Sequence, residues 1–207
     1  MIKRSWNNLK SEPLEKFFWS QGFLRIAGID EAGRGAIAGP IFVGLVIFPK
    51  DYSNPLIKDS KTLTEKQREN LFEVIIKEAL SYGVAKADTE EINNLGLMTA
   101  LFLAMRRALA QVREIDLLLV DGPMGIPEYR GLQRAIVKGD SLSLSIAGGS
   151  ILAKVTRDAY MRGLAKLYPD YGFEKHKGYA TSEHLEAIRL IGPCPEHRIG
   201  YKCFKSG

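Results

Sequence analysis

The sequence has few of the residues that carry nucleophilic chemistry or bind zinc. Its 207 residues include only two cysteines and three histidines. Cys194 and Cys203 flank His197, but no second Cys/His pair stands at the spacing of a zinc site, so we interpret both cysteines as free thiols. No segment resembles the nucleophile turn of serine hydrolases. A serine hydrolase and a zinc module are therefore both disfavoured.

The chain also lacks a long apolar run. No segment approaches the length of a membrane span, and the first residues do not form the continuous apolar stretch of a signal peptide, so we expect a cytoplasmic protein. Hydrophobic residues make up 45% of the chain and charged residues 26%, which is ordinary for a globular protein. The length suits one large domain with a substantial core. A net charge of +5 with a pI near 9.1 permits a polyanionic partner without requiring one.

Two adjacent carboxylates follow the first apolar run of the chain. Residues 24–29 form a run typical of a buried strand, and Asp30 and Glu31 come directly after it. Residues 33–35 then read Gly-Arg-Gly, which places a cation between two residues that allow backbone to approach a ligand closely. The pattern suggests a metal ion beside a phosphate. The acid pair taken alone is more typical of an ordinary turn.

The remaining patterns predict alternating strands and helices. Thr64 and Gln67 have the spacing of a capping box and predict a helix start. A short connection after the first strand favours an antiparallel hairpin with the second. An amphipathic arm precedes the first strand, and 169–178 is predicted as a loop. Strands are predicted at 24–29, 41–48, 82–87 and 115–120, a short extended stretch at 135–139, and helices at 65–80, 89–112 (as one helix or two), 146–167 and 181–190.

Two more acids follow predicted strands. Asp121 comes after the run 115–120, and Asp140 comes after 135–139. Neighbouring strands that end on the same side of an α/β sheet bring their last residues into one crevice. Four carboxylates in one crevice repel one another, and their hard oxygen ligands suit Mg²⁺ or Mn²⁺. Two such ions support hydrolysis of a phosphodiester without a protein nucleophile.

The motifs, taken in order, resemble those of ribonuclease HII, the type 2 ribonuclease H family. The resemblance runs from about residue 24 to residue 198. It is carried by Asp30-Glu31-Ala32-Gly33-Arg34-Gly35, Asp59-Ser60-Lys61, Val120-Asp121-Gly122, Lys138-Gly139-Asp140, the Ser145–Asp158 segment, and His176-Lys177-Gly178-Tyr179-x-Thr181.

This resemblance implies a ribonuclease H-like fold of the α/β class, with a five-stranded mixed sheet flanked by helices and a helical C-terminal segment. We therefore expect one catalytic domain, with an N-terminal arm at 1–22, a core at 23–172 and the C-terminal segment at 173–207. The implied activity is that of a metal-dependent endoribonuclease. It would hydrolyse the RNA strand of RNA–DNA hybrids and cut 5' of single ribonucleotides in duplex DNA, leaving 5'-phosphate and 3'-hydroxyl ends by two-metal-ion catalysis.

The resemblance also implies roles for individual residues. Asp30, Glu31, Asp121 and Asp140 match the acids that bind two Mg²⁺ or Mn²⁺ ions. Gly33, Arg34 and Gly35 match the loop that contacts the ribonucleotide 2'-hydroxyl, the group that distinguishes RNA from DNA. Tyr179 matches the residue that stacks on the sugar at the RNA-to-DNA junction. Lys61, Lys154 and Arg157 are candidate phosphate contacts, although each could equally serve the fold.

Several alternatives remain open from the sequence. A dinucleotide-binding loop is disfavoured because Gly33, Gly35 and Gly39 have one residue too many for G-x-G-x-x-G. A non-cleaving nucleic-acid-binding protein would be expected to lack one of the acids, and all four are present here. Ribonuclease HIII usually has Gly-Lys-Gly in the loop, whereas this chain has Arg34 between the two glycines, so ribonuclease HIII is disfavoured. Gly148-Gly149 replaces the alanines or serine usual in the family and is expected to loosen its helix by about 1 kcal/mol per glycine. We expect a monomer and see no protein partner.

Overall fold

A mixed sheet forms the centre of the protein. The computed structural model describes residues 12–58, 60–201 and 204. The strands of these residues are β1 (Ile26–Ala32), β2 (Ile41–Ile47), β3 (Ser81–Ala87), β4 (Leu117–Asp121) and β5 (Gln133–Ile136). They are arranged in the order β3-β2-β1-β4-β5. The pairs β1–β2 and β2–β3 are antiparallel, whereas β1–β4 and β4–β5 are parallel. The predicted five-stranded mixed sheet and the predicted hairpin are confirmed.

Helices cover both faces of this sheet. Within the described residues they are α1 (Leu14–Ser20), α2 (Glu65–Glu78), α3 (Thr89–Leu95), α4 (Leu97–Leu109), α5 (Leu144–Leu167), α6 (Phe173–His176) and α7 (Ser182–Ile191). The predicted capping box at α2 is present, since Thr64 Oγ1 accepts from the Gln67 amide at 3.3 Å and the Gln67 side chain accepts from the Thr64 amide at 2.8 Å. Gly96, with φ of +80°, divides the predicted helix at 89–112 into α3 and α4.

Helix α5 packs unusually closely on β1 and β2. A Cβ added to Gly149 would lie 2.6 Å from the carbonyl oxygen of Gly44, and a Cβ added to Gly28 would lie 2.1 Å from the Ile146 amide nitrogen. Glycine is therefore needed where the helix crosses the two strands. The local cost of about 1 kcal/mol for a glycine in the helix is therefore set against this close contact with the strands.

The N-terminal arm is tied to the start of α5. Leu14, Phe18 and Trp19 of α1 are buried, as expected for an amphipathic arm that packs on the core. Glu15, also buried, accepts hydrogen bonds from the Ser143 hydroxyl and from the first amides of α5. A carboxylate from one helix thus supplies acceptors to the unpaired amides at the start of another. Residues 1–11 of the predicted arm lie outside the described residues.

The C-terminal segment returns to the loop that follows β1. The stretch 169–178, predicted as a loop, contains a 3₁₀ turn at Pro169–Tyr171 and the short helix α6, so that prediction is wrong in part. Helix α7 confirms the prediction at 181–190 within one residue. After α7, the Arg198 amide donates to the Ile37 carbonyl at 2.8 Å. None of the helices in the described ranges has the length and apolar character needed to span a membrane.

Candidate active site

Two neighbouring parallel strands bring three of the predicted acids together. Asp30 and Glu31 lie within the last residues of β1, and Asp121 is the last residue of β4. Ile29 and Val120 are paired in the parallel register, so the acids that follow them lie at the same edge of the sheet. The strand-end prediction is confirmed for Asp121. It is slightly displaced for the acid pair, because β1 continues through Glu31 to Ala32.

The fourth acid is brought to the same edge by a turn. Strand β5 ends at Ile136, and Lys138 adopts a left-handed conformation with φ of 56° before a 3₁₀ turn that contains Asp140. The predicted extended stretch at 135–139 is therefore wrong in its second half. The turn still joins the site, because the Gly139 amide donates to Asp121 Oδ1 at 2.7 Å.

Burial and neighbouring negative charges raise the pKa values of Asp30, Glu31 and Asp121. Burial, together with the negative charges of Glu31 and Asp121, raises the pKa of Asp30 to about 8. Burial also raises the pKa of Glu31 above its ordinary value, despite the opposing charge of Arg34. The pKa of Asp121 is raised by burial and further by the charge of Asp140, while the Gly139 amide opposes the shift. The four acids thus form one electrostatically coupled group.

Basic side chains border this group. Lys61 Nζ lies 3.1 Å from Asp140 Oδ2 although 78% of the Lys61 side chain is exposed. Arg34 Nη1 lies 3.5 Å from Glu31 Oε1. Arg34 and Lys61 both line a cleft of about 400 Å³. The predicted site residues that line this cleft are Asp30, Glu31, Gly33, Arg34, Gly35, Lys61, Asp121, Lys154 and Tyr179.

The glycine-flanked loop and Tyr179 lie next to each other in the cleft. Gly33 has φ of +92°, a conformation that favours glycine. A Cβ added to Gly35 would lie 3.9 Å from the Tyr179 ring. The ring is 38% exposed, and Lys154 Nζ lies 5.9 Å from its centroid. Lys154 Nζ also forms an ion pair with Asp158 Oδ1 at 2.8 Å, so Lys154 lines the cleft while its ammonium group is bonded to a carboxylate of its own helix.

Arg157 is the predicted site residue whose position differs most from expectation. Its side chain is fully buried, and its guanidinium donates to the carbonyls of Pro40 at 3.0 Å, Lys177 at 2.9 Å and Ala38 at 3.1 Å. These bonds engage the guanidinium away from solvent and leave it no accessible face for a phosphate. The prediction that Arg157 contacts phosphate is thus not supported by this arrangement, and the arginine instead joins the loop after β1 to the segment before Tyr179.

Two further residues, Ser150 and Arg198, support the site. Ser150 of α5 hydrogen-bonds to the Asp30 carboxylate and so opposes the rise in its pKa, and its hydroxyl lies 2.9 Å from that of Ser60. Arg198 is a second fully buried arginine, whose guanidinium donates to the carbonyls of Ala36 at 2.8 Å and Gly39 at 2.9 Å. Only the folded chain shows that these residues support the acids and the loop.

The residues of the cleft fit divalent cations by their chemistry. The described residues contain no group of three or more His, Cys, Asp or Glu side chains already arranged around a metal position. The four acids nevertheless offer only carboxylate oxygens, the ligands that hard divalent cations prefer. Burial, together with neighbouring negative charge, raises the pKa values of Asp30, Glu31 and Asp121, and a bound cation would favour their charged forms. Elsewhere in the chain, Cys194 is a free thiol as predicted, and Cys203 lies outside the described residues.

Comparison with known proteins agrees with this architecture. The family model described as Ribonuclease HII matches residues 27–204. The chain is 51% identical over 188 residues to the ribonuclease HII of Caldanaerobacter subterraneus subsp. tengcongensis, covering 90% of this chain and 78% of that protein. It is 47% identical to the ribonuclease HII of Endomicrobium trichonymphae, covering 90% of each.

A solved structure is similar over most of the chain as well. Ribonuclease HII of Archaeoglobus fulgidus, determined in a complex with PCNA, has a TM-score of 0.74 and 27% identity, covering 86% of this chain and 96% of that one. The family match spans the sheet, the four acids and the C-terminal segment. The chain therefore belongs to the ribonuclease HII family and is an endoribonuclease, a hydrolase with ribonuclease H activity on RNA–DNA hybrids.

Proposed function

We propose that this endoribonuclease depends on two divalent cations, Mg²⁺ or Mn²⁺, held by Asp30, Glu31, Asp121 and Asp140, and that it cuts 5' of single ribonucleotides in duplex DNA as well as RNA in hybrids. The products would be 5'-phosphate and 3'-hydroxyl ends. The observation that carries the proposal is one cleft lined by coupled carboxylates, by the Gly33–Gly35 loop and by Tyr179, whose ring lies beside Gly35.

The acids hold the cations in this proposal. Their negative charges would be balanced by the cations, and Asp30 is the most buried of the four. When bound, the cations supply Lewis-acid stabilisation of the phosphodiester charge and lower the pKa of a water molecule. The Gly139 amide fixes the orientation of Asp121 by its bond to Oδ1, so that the carboxylate is preorganised.

The loop and the tyrosine would supply recognition. The backbone around Gly35 can approach a 2'-hydroxyl because this glycine has no side chain, and Arg34 adds a cation for a nearby phosphate. At Gly33 the Arg157 side chain occupies the space of a Cβ, so this glycine lets the loop pack on Arg157. The ring of Tyr179 offers a flat apolar face at the same opening. Lys61 and Lys154 line the cleft and are proposed to contact backbone phosphates, which would fix the position of the duplex without reading its sequence.

The test uses labelled duplexes of one sequence: all DNA, DNA with one ribonucleotide, and an RNA–DNA hybrid. Each is incubated with the full chain in Mg²⁺, Mn²⁺ or chelator. We expect metal-dependent cutting of the hybrid and of the single-ribonucleotide duplex, on its 5' side, and no cutting of pure DNA. Cutting in chelator would refute the metal site, and cutting of hybrids alone would refute the proposed reading of single ribonucleotides.

A pair of variants separates the acids from the binding surface. Asp121→Asn should lower cleavage about 10³-fold or more, on the order of 4 kcal/mol of barrier, because it removes a charged ligand. It should still bind the duplex, since the basic residues remain. Asp170→Asn, which alters an exposed acid outside the cleft, is the matched control and should cleave normally. Normal turnover by the Asp121 variant would contradict the site.

A further inference from the structure

All three histidines of the chain meet in the C-terminal segment, outside the cleft. They come from different places: His176 from α6, His184 from α7, and His197 from the segment after α7. The rings of His176 and His184 are stacked with centroids 4.2 Å apart. His184 Nε2 lies 3.0 Å from His197 Nε2, and both side chains are fully buried. None of the three lines the cleft that holds the acids.

The neighbours of these rings determine where the protons lie. His184 Nδ1 is 2.9 Å from the Tyr179 carbonyl oxygen, which can only accept, so Nδ1 carries the proton and Nε2 is an acceptor. His197 must then donate from Nε2, because two lone pairs would otherwise face each other. His197 Nδ1 is left as an acceptor, and the Cys194 amide donates to it at 2.9 Å. The Cys194 carbonyl oxygen, 3.1 Å from Nδ1, accepts instead from the His197 amide at 3.0 Å.

The histidines are suited to keep this arrangement at neutral pH. Burial lowers the pKa of His184 to about 4, and burial also lowers the pKa of His197. Both rings are therefore neutral near pH 7, as a donor–acceptor pair requires. A directed chain of hydrogen bonds runs from the Cys194 amide through His197 and His184 to the carbonyl of Tyr179.

The chain ends on the backbone of the residue whose ring faces the cleft. The Tyr179 amide donates to the His176 carbonyl at 3.0 Å, and the Tyr179 carbonyl accepts from the Thr181 amide at 2.8 Å as well as from His184. The backbone of Tyr179 is thus held on its buried side while 38% of the residue remains exposed toward the cleft. The ring itself lies near two cations, with the Arg157 guanidinium carbon 5.5 Å and Lys154 Nζ 5.9 Å from its centroid. The direction from which the ring meets a substrate therefore depends on the backbone bonds that fix its Cα.

We propose that His184, oriented by His197, is a positioning residue for Tyr179 and thereby for the discrimination of single ribonucleotides. The inference rests on the proposed role of Tyr179 in the preceding subsection. His184 touches neither substrate nor cation. It acts by fixing the carbonyl from which the Tyr179 ring is presented.

Two substitutions at one position separate this role from packing. In His184→Asn the amide nitrogen takes the place of Nδ1 and keeps the donor toward the Tyr179 carbonyl. In His184→Gln the amide group reaches the place of Nε2 and keeps the contact with His197 but loses that donor. Both variants remove the ring stacked on His176, so their losses of packing are matched.

The measurement is the ratio of kcat/KM for the single-ribonucleotide duplex to kcat/KM for the RNA–DNA hybrid. We expect His184→Gln to lower this ratio about tenfold, and His184→Asn to keep it within about threefold of the unmodified chain. For the single-ribonucleotide duplex, kcat should change more than KM, because a misplaced Tyr179 ring alters the geometry of the bound substrate more than its binding. Thermal unfolding of both variants should give similar midpoints.

Tyr179→Ala distinguishes failure of this inference from failure of the proposed function. If Tyr179→Ala lowers the ratio and His184→Gln does not, or if both His184 variants lower it equally, the positioning role is refuted while the role of Tyr179 stands. If Tyr179→Ala leaves the ratio unchanged, the proposed role of Tyr179 fails, and the inference fails with it. In the Tyr179→Ala background, His184→Gln should have no further effect on the ratio.

Discussion

Replacing Asp30 by asparagine should stabilise the protein while it destroys activity. Asp30 is 5% exposed, and its pKa is raised from 3.8 to about 8, so the folded state holds a proton that the unfolded chain releases. The folded state binds more protons between these two pH values, and stability therefore falls as pH rises from about 4 to 8. Asparagine does not ionise, so the stability of Asp30→Asn does not fall with pH in this way.

The size of the effect follows from the shift. If the whole shift in the pKa of Asp30 affected stability, ionisation of Asp30 would cost about 6 kcal/mol at pH 8 and above, at 1.36 kcal/mol per pKa unit. Water and counter-ions enter an open cleft and screen the carboxylates, so we expect the variant to exceed the unmodified chain by on the order of 2 kcal/mol. The difference should be near zero close to pH 4, grow toward pH 8, and remain constant above it.

Urea unfolding in chelator at pH 5 to 9 measures this difference directly. Glu90→Gln, which neutralises an exposed acid on α3, is the control and should show no such growth with pH. Adding Mg²⁺ should stabilise the unmodified chain by about 2.7 kcal/mol at 100 times its Kd, and the Asp30 variant by less. A difference that is independent of pH, or that shrinks as pH rises, would refute the coupled group of acids.

Three further substitutions test the packing that supports the site, each measured by urea or thermal unfolding. Gly149→Ala should destabilise the protein by about 1–3 kcal/mol, because the new Cβ meets a backbone oxygen of β2. Gly163→Ala, in the same helix but with nothing within 4 Å of its Cβ, should stabilise the protein by about 0.5–1 kcal/mol. Equal effects of the two substitutions would contradict the close packing of α5 on the strands. Arg157→Met should cost about 3–5 kcal/mol because three carbonyls lose their donor, while Arg162→Met, which breaks only surface ion pairs, should cost at most about 1 kcal/mol. Glu15→Ala should cost about 1–3 kcal/mol by leaving the start of α5 without its acceptor, and an unchanged midpoint would contradict this capping role.

Local sequence patterns were enough to predict the sheet and three of the acids at its edge. Buried strands have long apolar runs, and β1, β2 and β4 were recognisable for that reason. Asp30, Glu31 and Asp121 followed from the ends of those runs. Asp140 was predicted to lie in the site, but its geometry was not, because a left-handed residue at Lys138 replaces the end of a strand with a turn.

Contacts between distant residues were outside the reach of such patterns. A charged residue in a helix ordinarily faces solvent, and Arg157 gives no local sign that its partners are carbonyls up to 119 residues away. The same holds for Glu15, whose acceptor role depends on a helix start about 130 residues later. The histidines were noted individually, but their hydrogen-bonded chain depends on three elements meeting in the fold.

The acidic half and the recognition half of the cleft are held in place by different interactions. Asp30, Glu31 and Asp121 are fixed by strand register and by the packing of α5, which belong to the core. The recognition half consists of loops, and its shape depends on buried side chains that donate to backbone carbonyls: Arg157, His184 and Arg198. These bonds join loop segments outside the sheet, so losing one should shift a loop more than it disturbs the strands. Changes in this second group should therefore reduce discrimination between substrates before they reduce cleavage of hybrids.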